Sequence, residues 1–153
     1  LRGAGMIMGV GLAEVARRDE GARRLATIPG IGVINATALV AAVGDASAFA
    51  KARDLSAWLG LTPRQYTTGG KAKLLGISKR GNRYLRKQLI HGARAAMLRL
   101  TGTPTPLGVW LRGLLARIHP NVAVVALANK LARIAWALLR KGREFDRGAL
   151  AGG

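Results

Sequence analysis

The sequence predicts an all-α fold, and three observations lead there. Half of the 153 residues are apolar, which is enough for a packed core and argues against global disorder. Ala and Leu dominate over β-branched runs, and only seven residues are aromatic, so small and aliphatic side chains in helices must build that core. Apolar residues recur at i, i+3, i+4 and i+7 in segments that Gly and Pro separate.

Taken in order, residues 1–18 read as a poorly ordered leader or remnant, because Gly3, Gly5, Gly9 and Gly11 disfavour an isolated helix. Leu1 in place of Met fits a fragment, a processed chain or an unusual start. The segment Glu20 to Ile28 is a short helix stopped by Pro29, whose ring and missing N–H end it. Gly30-Ile31-Gly32 forms a tight turn, and a second helix covers Val33 to Val43 with Gly44 as its C-cap. A third covers Ala50 to Leu59. From Gly60 to Ser78 the helical pattern dissolves into a long loop marked by Pro63, Gly69-Gly70 and Gly76. Loops of this length inside a compact domain tend to be functional.

A long helix from Gly81 to Leu100 follows. Leu85, Leu89, Ala93, Ala96 and Leu100 form its apolar stripe, while Arg83, Lys87 and Arg94 share another face. Gly102, Pro104 and Pro106 break the chain before a helix from Leu107 to Ile118. After Pro120 the last helix, Asn121 to Arg140, buries Val124, Ala128, Leu131, Ala135 and Leu138 and presents Lys130, Arg133 and Arg140. The domain is thus expected over 19–143, with 144–153 a flexible tail.

Charge narrows the function. Twenty-five Lys and Arg oppose seven acids, for a net charge of +18. Between Asp54 and Glu144 there is no carboxylate, yet the span carries seventeen Lys and Arg. An ordinary solvated surface mixes signs, so this stretch calls for an anionic partner, and nucleic acid is the natural one. A membrane surface is the weaker rival. With no cysteine there is no disulfide framework or thiolate metal site. His91 and His119 are far apart and read as ordinary helix residues. No window reads as a membrane span, since Asn129, Lys130 and Arg133 interrupt the most apolar stretch, and a cytoplasmic, nucleoid-associated chain is expected.

Two motifs carry the candidate sites. Gly30, Ile31 and Gly32, between two helices, resemble the turn of a helix-hairpin-helix element, where glycines let the backbone approach a phosphate and the next helix offers its N–H groups. The same turn would also serve an αα-hairpin that needs only tight packing. The second motif is the long loop with the following helix start, which concentrates Arg64, Lys71, Lys73, Lys79, Arg80, Arg83, Arg86 and Lys87 among glycines and hydroxyls, a composition suited to a sugar-phosphate backbone. Tyr66 and Tyr84 could stack on bases or pack in the core.

The ordered series Gly60-Leu61-Thr62-Pro63-Arg64, Ile77-Ser78-Lys79-Arg80-Gly81-Asn82 and Leu85-Arg86, behind the hairpin, resembles the insertion-sequence transposases of the IS-one-ten type over roughly Arg23 to Arg143. The resemblance implies a C-terminal transposase domain that holds element-end and target DNA, with a structured guide RNA as a further partner. It also implies a serine nucleophile just after the Pro-Arg stretch. That place falls here on Thr68, or on Thr67 if the alignment shifts by one, so the chain departs from the family pattern either way. A threonine hydroxyl can attack when activated, but its β-methyl restricts χ1. Ser78 reads as a helix N-cap or a phosphate donor.

In that family a separate nuclease-like domain supplies four acids and divalent magnesium. The acids here are Glu14, Asp19, Glu20, Asp45, Asp54, Glu144 and Asp146, and no pair resembles the clustered carboxylates of a two-metal site. No metal or other cofactor is therefore expected in this chain, and it should not cut DNA alone. Two function classes follow: a transposase domain that binds DNA, and a plain, non-specific helix-hairpin-helix DNA-binding module of repair-accessory or nucleoid type. Association with full-length transposase or with itself would follow from the first.

Overall fold

The computed structural model describes residues 20–61 and 79–142, and within them every regular element is helical. We label the helices α1 (Glu20–Ala26), α2 (Val33–Val43), α3 (Ala52–Trp58), α4 (Lys79–Thr101), α5 (Pro106–Leu115) and α6 (Pro120–Lys141). The expected all-α class is observed. The leader, the loop beyond Leu61 and the tail expected from the sequence lie outside the described residues.

The ends of the helices follow local chemistry. α1 stops at Ala26, earlier than expected, because Thr27 and Ile28 donate their N–H groups to Arg24 and Leu25 in turn-type bonds. α2 ends at Gly44, whose φ of 60° is open to glycine and whose N–H reaches the Val40 carbonyl. α3 begins at Ala52, where the Asp54 carboxylate accepts the Lys51 N–H at 3.1 Å. Pro106 does not break the chain but occupies the first turn of α5, while the Thr105 hydroxyl accepts the Gly108 N–H at 3.2 Å. Pro120 does the same for α6, with His119 Nδ1 accepting from Asn121.

α6 is the hub. It packs against α1, α3, α4 and α5, and its contact with α4 is the most extensive in the fold. The five residues expected to be buried on it are buried, together with Ala123, Leu127, Ala132, Ile134 and Leu139. The buried arc is wider than a single stripe because neighbours surround the helix on several sides. By length and composition α6 is apolar enough to cross a membrane, contrary to the sequence expectation. Its burial against four helices of the same chain accounts for that apolarity.

The segment between α2 and α3 is pinned to this hub. Phe49 packs against Trp58 with ring centroids 5.7 Å apart, and the Trp136 indole N–H donates to the Phe49 carbonyl at 2.8 Å. At the other end, the Arg112 guanidinium donates to the carbonyls of Thr101 and Thr103, both at 2.7 Å, and so satisfies the end of α4.

The turn between α1 and α2 lies directly on α4. Gly30 has φ of 90°, and a Cβ placed there would meet Leu131 Cδ1 at 3.0 Å and the Gly92 carbonyl at 3.2 Å. A Cβ on Gly92 would collide with the Gly30 carbonyl. The turn and α4 therefore approach through bare backbone, and α2 is further tied to α4 by Asn35, whose side-chain amide lies 3.5 Å from the Gln88 carbonyl. Replacing Gly92 with Ala should destabilise the fold by about 1–3 kcal/mol, because neither backbone can yield cheaply. A melting temperature equal to that of the wild type would show that the turn is not seated on α4 in this way.

Candidate nucleic-acid interface

The physical oddity of α4 is where its cations sit. A helix of 23 residues has a partial positive charge at its N-terminus, so acids are favoured there and bases are not. α4 has no acid in its first turn, and Lys79, Arg80 and Arg83 occupy its opening stretch instead. The Asp54-to-Glu144 gap in carboxylates spans the whole helix. Among the described residues, ion pairs involve only Glu20 and Asp45 as acids, so none neutralises α4.

The arrangement sorts the predicted residues. Leu85, Leu89, Ala93, Ala96 and Leu100 are buried, and Arg83, Lys87 and Arg94 stand exposed on the opposite face. His91 joins that stripe, one turn from Lys87 and from Arg94, with exposed Tyr84 at its margin. These side chains, together with Ile90 and Arg86, line a space of about 680 Å³. Tyr84 is 47% exposed, which removes the core-packing reading for its ring. Arg86 is only half-exposed, and its guanidinium lies against Gly60 at the end of α3, within 2.6 Å of where a Cβ would stand. Arg86 thus also packs against the turn that follows α3.

The turn between α1 and α2 divides in a similar way. Ile31 is 2% exposed, and its N–H is taken by the Ile28 carbonyl, so it belongs to the core. Gly30 is committed to Gly92. Gly32 is exposed with open space around it, and it precedes α2, which has no side-chain cap. Val33 and Ile34 at that helix start are exposed. The part of the turn open to a ligand is therefore Gly32 and the start of α2. Between the turn and the C-terminal half of α4 runs a groove of about 620 Å³, whose polar lining includes Thr27, Arg99, Thr103 and Thr105.

Arg64, Thr67, Thr68, Lys71 and Lys73 lie outside the described residues, as does Ser78, and Lys79 and Arg80 are placed only by the helix that carries them. No cluster of three or more His, Asp or Glu suited to a metal occurs among the described residues.

Sequence reasoning did not single out Trp110. Its ring, on α5, lies 4.7 Å from Lys130 Nζ of α6. Burial, with a smaller contribution from the charge of Arg133, pushes the Lys130 ammonium below its ordinary pKa. The fold therefore tolerates that charge more than it favours it. No periodicity signals such a pair across two helices.

Comparison with known proteins places this geometry. The profile described as Transposase IS116/IS110/IS902 family matches residues 22–105, which run from α1 to the N-cap of α5. A transposase for insertion sequence element IS1328 from Yersinia enterocolitica is 50% identical over 129 residues, covering 84% of this chain and 39% of the relative. A transposase for IS1111A from Coxiella burnetii is 46% identical over 138 residues, covering 90% and 38%. A pilin gene-inverting protein from Moraxella bovis is 31% identical over 127 residues, covering 80% and 38%. The chain spans less than two fifths of the length of these relatives. Helix order, the cationic face of α4 and the matched residues lead to one assignment: the chain belongs to the IS116/IS110/IS902 family of transposases.

Proposed function

We propose that this domain binds nucleic-acid backbone through the outer face of α4 during insertion-sequence transposition, with the start of α2 as a second contact. The observation that carries the reading is the row of Arg83, Lys87, His91 and Arg94 at and beyond the positive end of α4, with no acid to offset it. Phosphates would neutralise the row and release counterions, which is the main source of such affinity. Gly32 and the uncapped start of α2 supply a helix-hairpin-helix type of contact, which positions a strand without reading its sequence.

Element-end DNA and the element's own structured RNA are the partners this reading assigns, and the bacterial nucleoid is where it would act. Lys71, Lys73, Lys79, Arg80 and Arg64 extend the same cationic track in sequence. Thr68, or Thr67, stands at the nucleophile's place. Cleavage itself needs clustered carboxylates with magnesium, which a separate acidic domain would supply. The Moraxella relative, named for inverting a pilin gene, is consistent with DNA rearrangement as the wider activity.

The test is competitive binding of element-end DNA, the element's RNA and random duplex of equal length across a salt series. A preference for the first two that survives high salt supports a role in the transposition complex. Equal affinities that all collapse with salt favour the plain binding module. Replacing Arg83, Lys87 and Arg94 with Ala should lower the salt slope by about 2.7, close to 0.9 per lost phosphate contact. An unchanged slope would remove α4 from the interface.

Thr68→Ala should leave binding within about twofold, since a hydroxyl at the reacting phosphate adds little to a backbone-wide contact. With a nuclease-like partner present it should abolish strand transfer. Loss of binding in this variant would show that Thr68 is a contact residue and not the nucleophile's position.

A further inference from the structure

We propose that the outer face of α4 holds an unpaired nucleotide of a polynucleotide strand, with its base stacked on the Tyr84 ring and its phosphates on the flanking cations. The inference rests on the α4 reading above and narrows it from nucleic acid in general to strands that present an unstacked base.

The ring itself comes first. Tyr84 is 47% exposed on a helix whose inner stripe is filled by Leu85, Leu89 and Ala93. Among the described residues no other ring packs on it, and no hydrogen bond holds its hydroxyl. The fold thus forgoes the burial that an aromatic side chain normally contributes, and leaves its π-face open.

A single exposed ring means little on its own. The surroundings of Tyr84 give it a use. Arg83, Tyr84, Lys87, Ile90, His91 and Arg94 line one space of about 680 Å³, inside the range of about 300–1,000 Å³ usual for clefts that take a small organic group. Tyr84 lies three residues before Lys87 and Ile90 three residues after it, so both stand one turn from the same ammonium. Half-buried Ile90 continues the apolar surface that Tyr84 begins. Apolar and cationic side chains therefore alternate along about 16 Å of helix, from Arg83 to Arg94. A base needs surface of the first kind, and the phosphates on either side of it need the second.

A duplex has no use for the ring as a platform. Each paired base is covered on both faces by its neighbours, and the grooves present only base edges. Exposing a face there costs unpairing and unstacking, whereas an unpaired base offers its face at once. An aromatic ring within a cationic groove is the arrangement that holds single strands whatever their sequence. The competing use of Tyr84 is a hydroxyl donated to a phosphate, which a duplex would satisfy equally well. DNA and RNA share the base and phosphate chemistry, so both enter the test.

Affinities of the full chain are measured for short oligothymidylate, oligouridylate and a random duplex of equal length, each across a salt series. Tyr84→Ala should weaken single-strand binding about ten- to a hundredfold and change duplex binding by less than about twofold, since stacking is lost and no phosphate contact is. The salt slope should stay as in the wild type, because a phenol neutralises no phosphate. Tyr84→Phe should restore single-strand binding to within about twofold of wild type, because the π-face is kept. In parallel, single strands carrying 5-iodouracil are photocrosslinked to the wild-type chain, and the modified residue is mapped by mass spectrometry. Crosslinking at Tyr84 is expected, and the strand type that gives the higher yield names the source of the nucleotide. Wild-type affinity in Tyr84→Ala, failure of Tyr84→Phe to restore binding, or crosslinks that all map away from Tyr84 would each overturn the proposal. The crosslink needs no variant, so a misfolded substitution does not spare the idea. Replacing Arg83, Lys87 and Arg94 with Ala separates the two readings. An unchanged salt slope on every probe removes the α4 interface itself, whereas a lowered slope beside a silent Tyr84→Ala removes only the stacking.

Discussion

The contact of Gly30 with Gly92 is the constraint on which the rest of the molecule depends. Because neither residue carries a side chain, the turn between α1 and α2 sits on the backbone of α4, with Leu131 of α6 beneath it. That seating fixes where α2 begins and how far its first N–H groups stand from the cations of α4. Packing between bare backbones is close and unforgiving, since no side chain can change rotamer to absorb an error. The turn between α1 and α2 is thereby held close against the cationic helix.

Much of the fold was legible in the sequence. The apolar spacing of Leu85, Leu89, Ala93, Ala96 and Leu100 located the inner face of α4, and all five are buried. Helix ends were less legible, for local reasons. Pro106 and Pro120 looked like breakers, but a proline without an N–H fits the first turn of a helix as well as the gap before it. Only the neighbouring caps, Thr105 and His119, decide between the two. The membrane-length apolarity of α6 was discounted because of Asn129, Lys130 and Arg133, whereas its true explanation is enclosure by four helices, which no local window contains.

The candidate site was legible in its charge and less so in its partition. The absence of acids from Asp54 to Glu144 pointed to an anionic partner directly. Spacing could not reveal that Arg86 would turn to Gly60, or that Ile31 would enter the core while Gly32 stayed open. Those outcomes depend on which neighbour arrives from elsewhere in the chain. Trp110 and Lys130 show the same limit, because two helices must meet before the pair exists. The Ile31 result also separates two meanings of a glycine-rich turn. Here the first glycine serves packing, and the second is free for a ligand.

The central place of α6 has a consequence for biosynthesis. It is last in order among the described helices, yet α1, α3, α4 and α5 all bury their apolar faces on it. During translation those earlier helices emerge with their inner surfaces uncovered and with nothing to close the core. The contacts around α6 can therefore form only once the chain through Lys141 has been made, while α1 and α2 can already pack on each other.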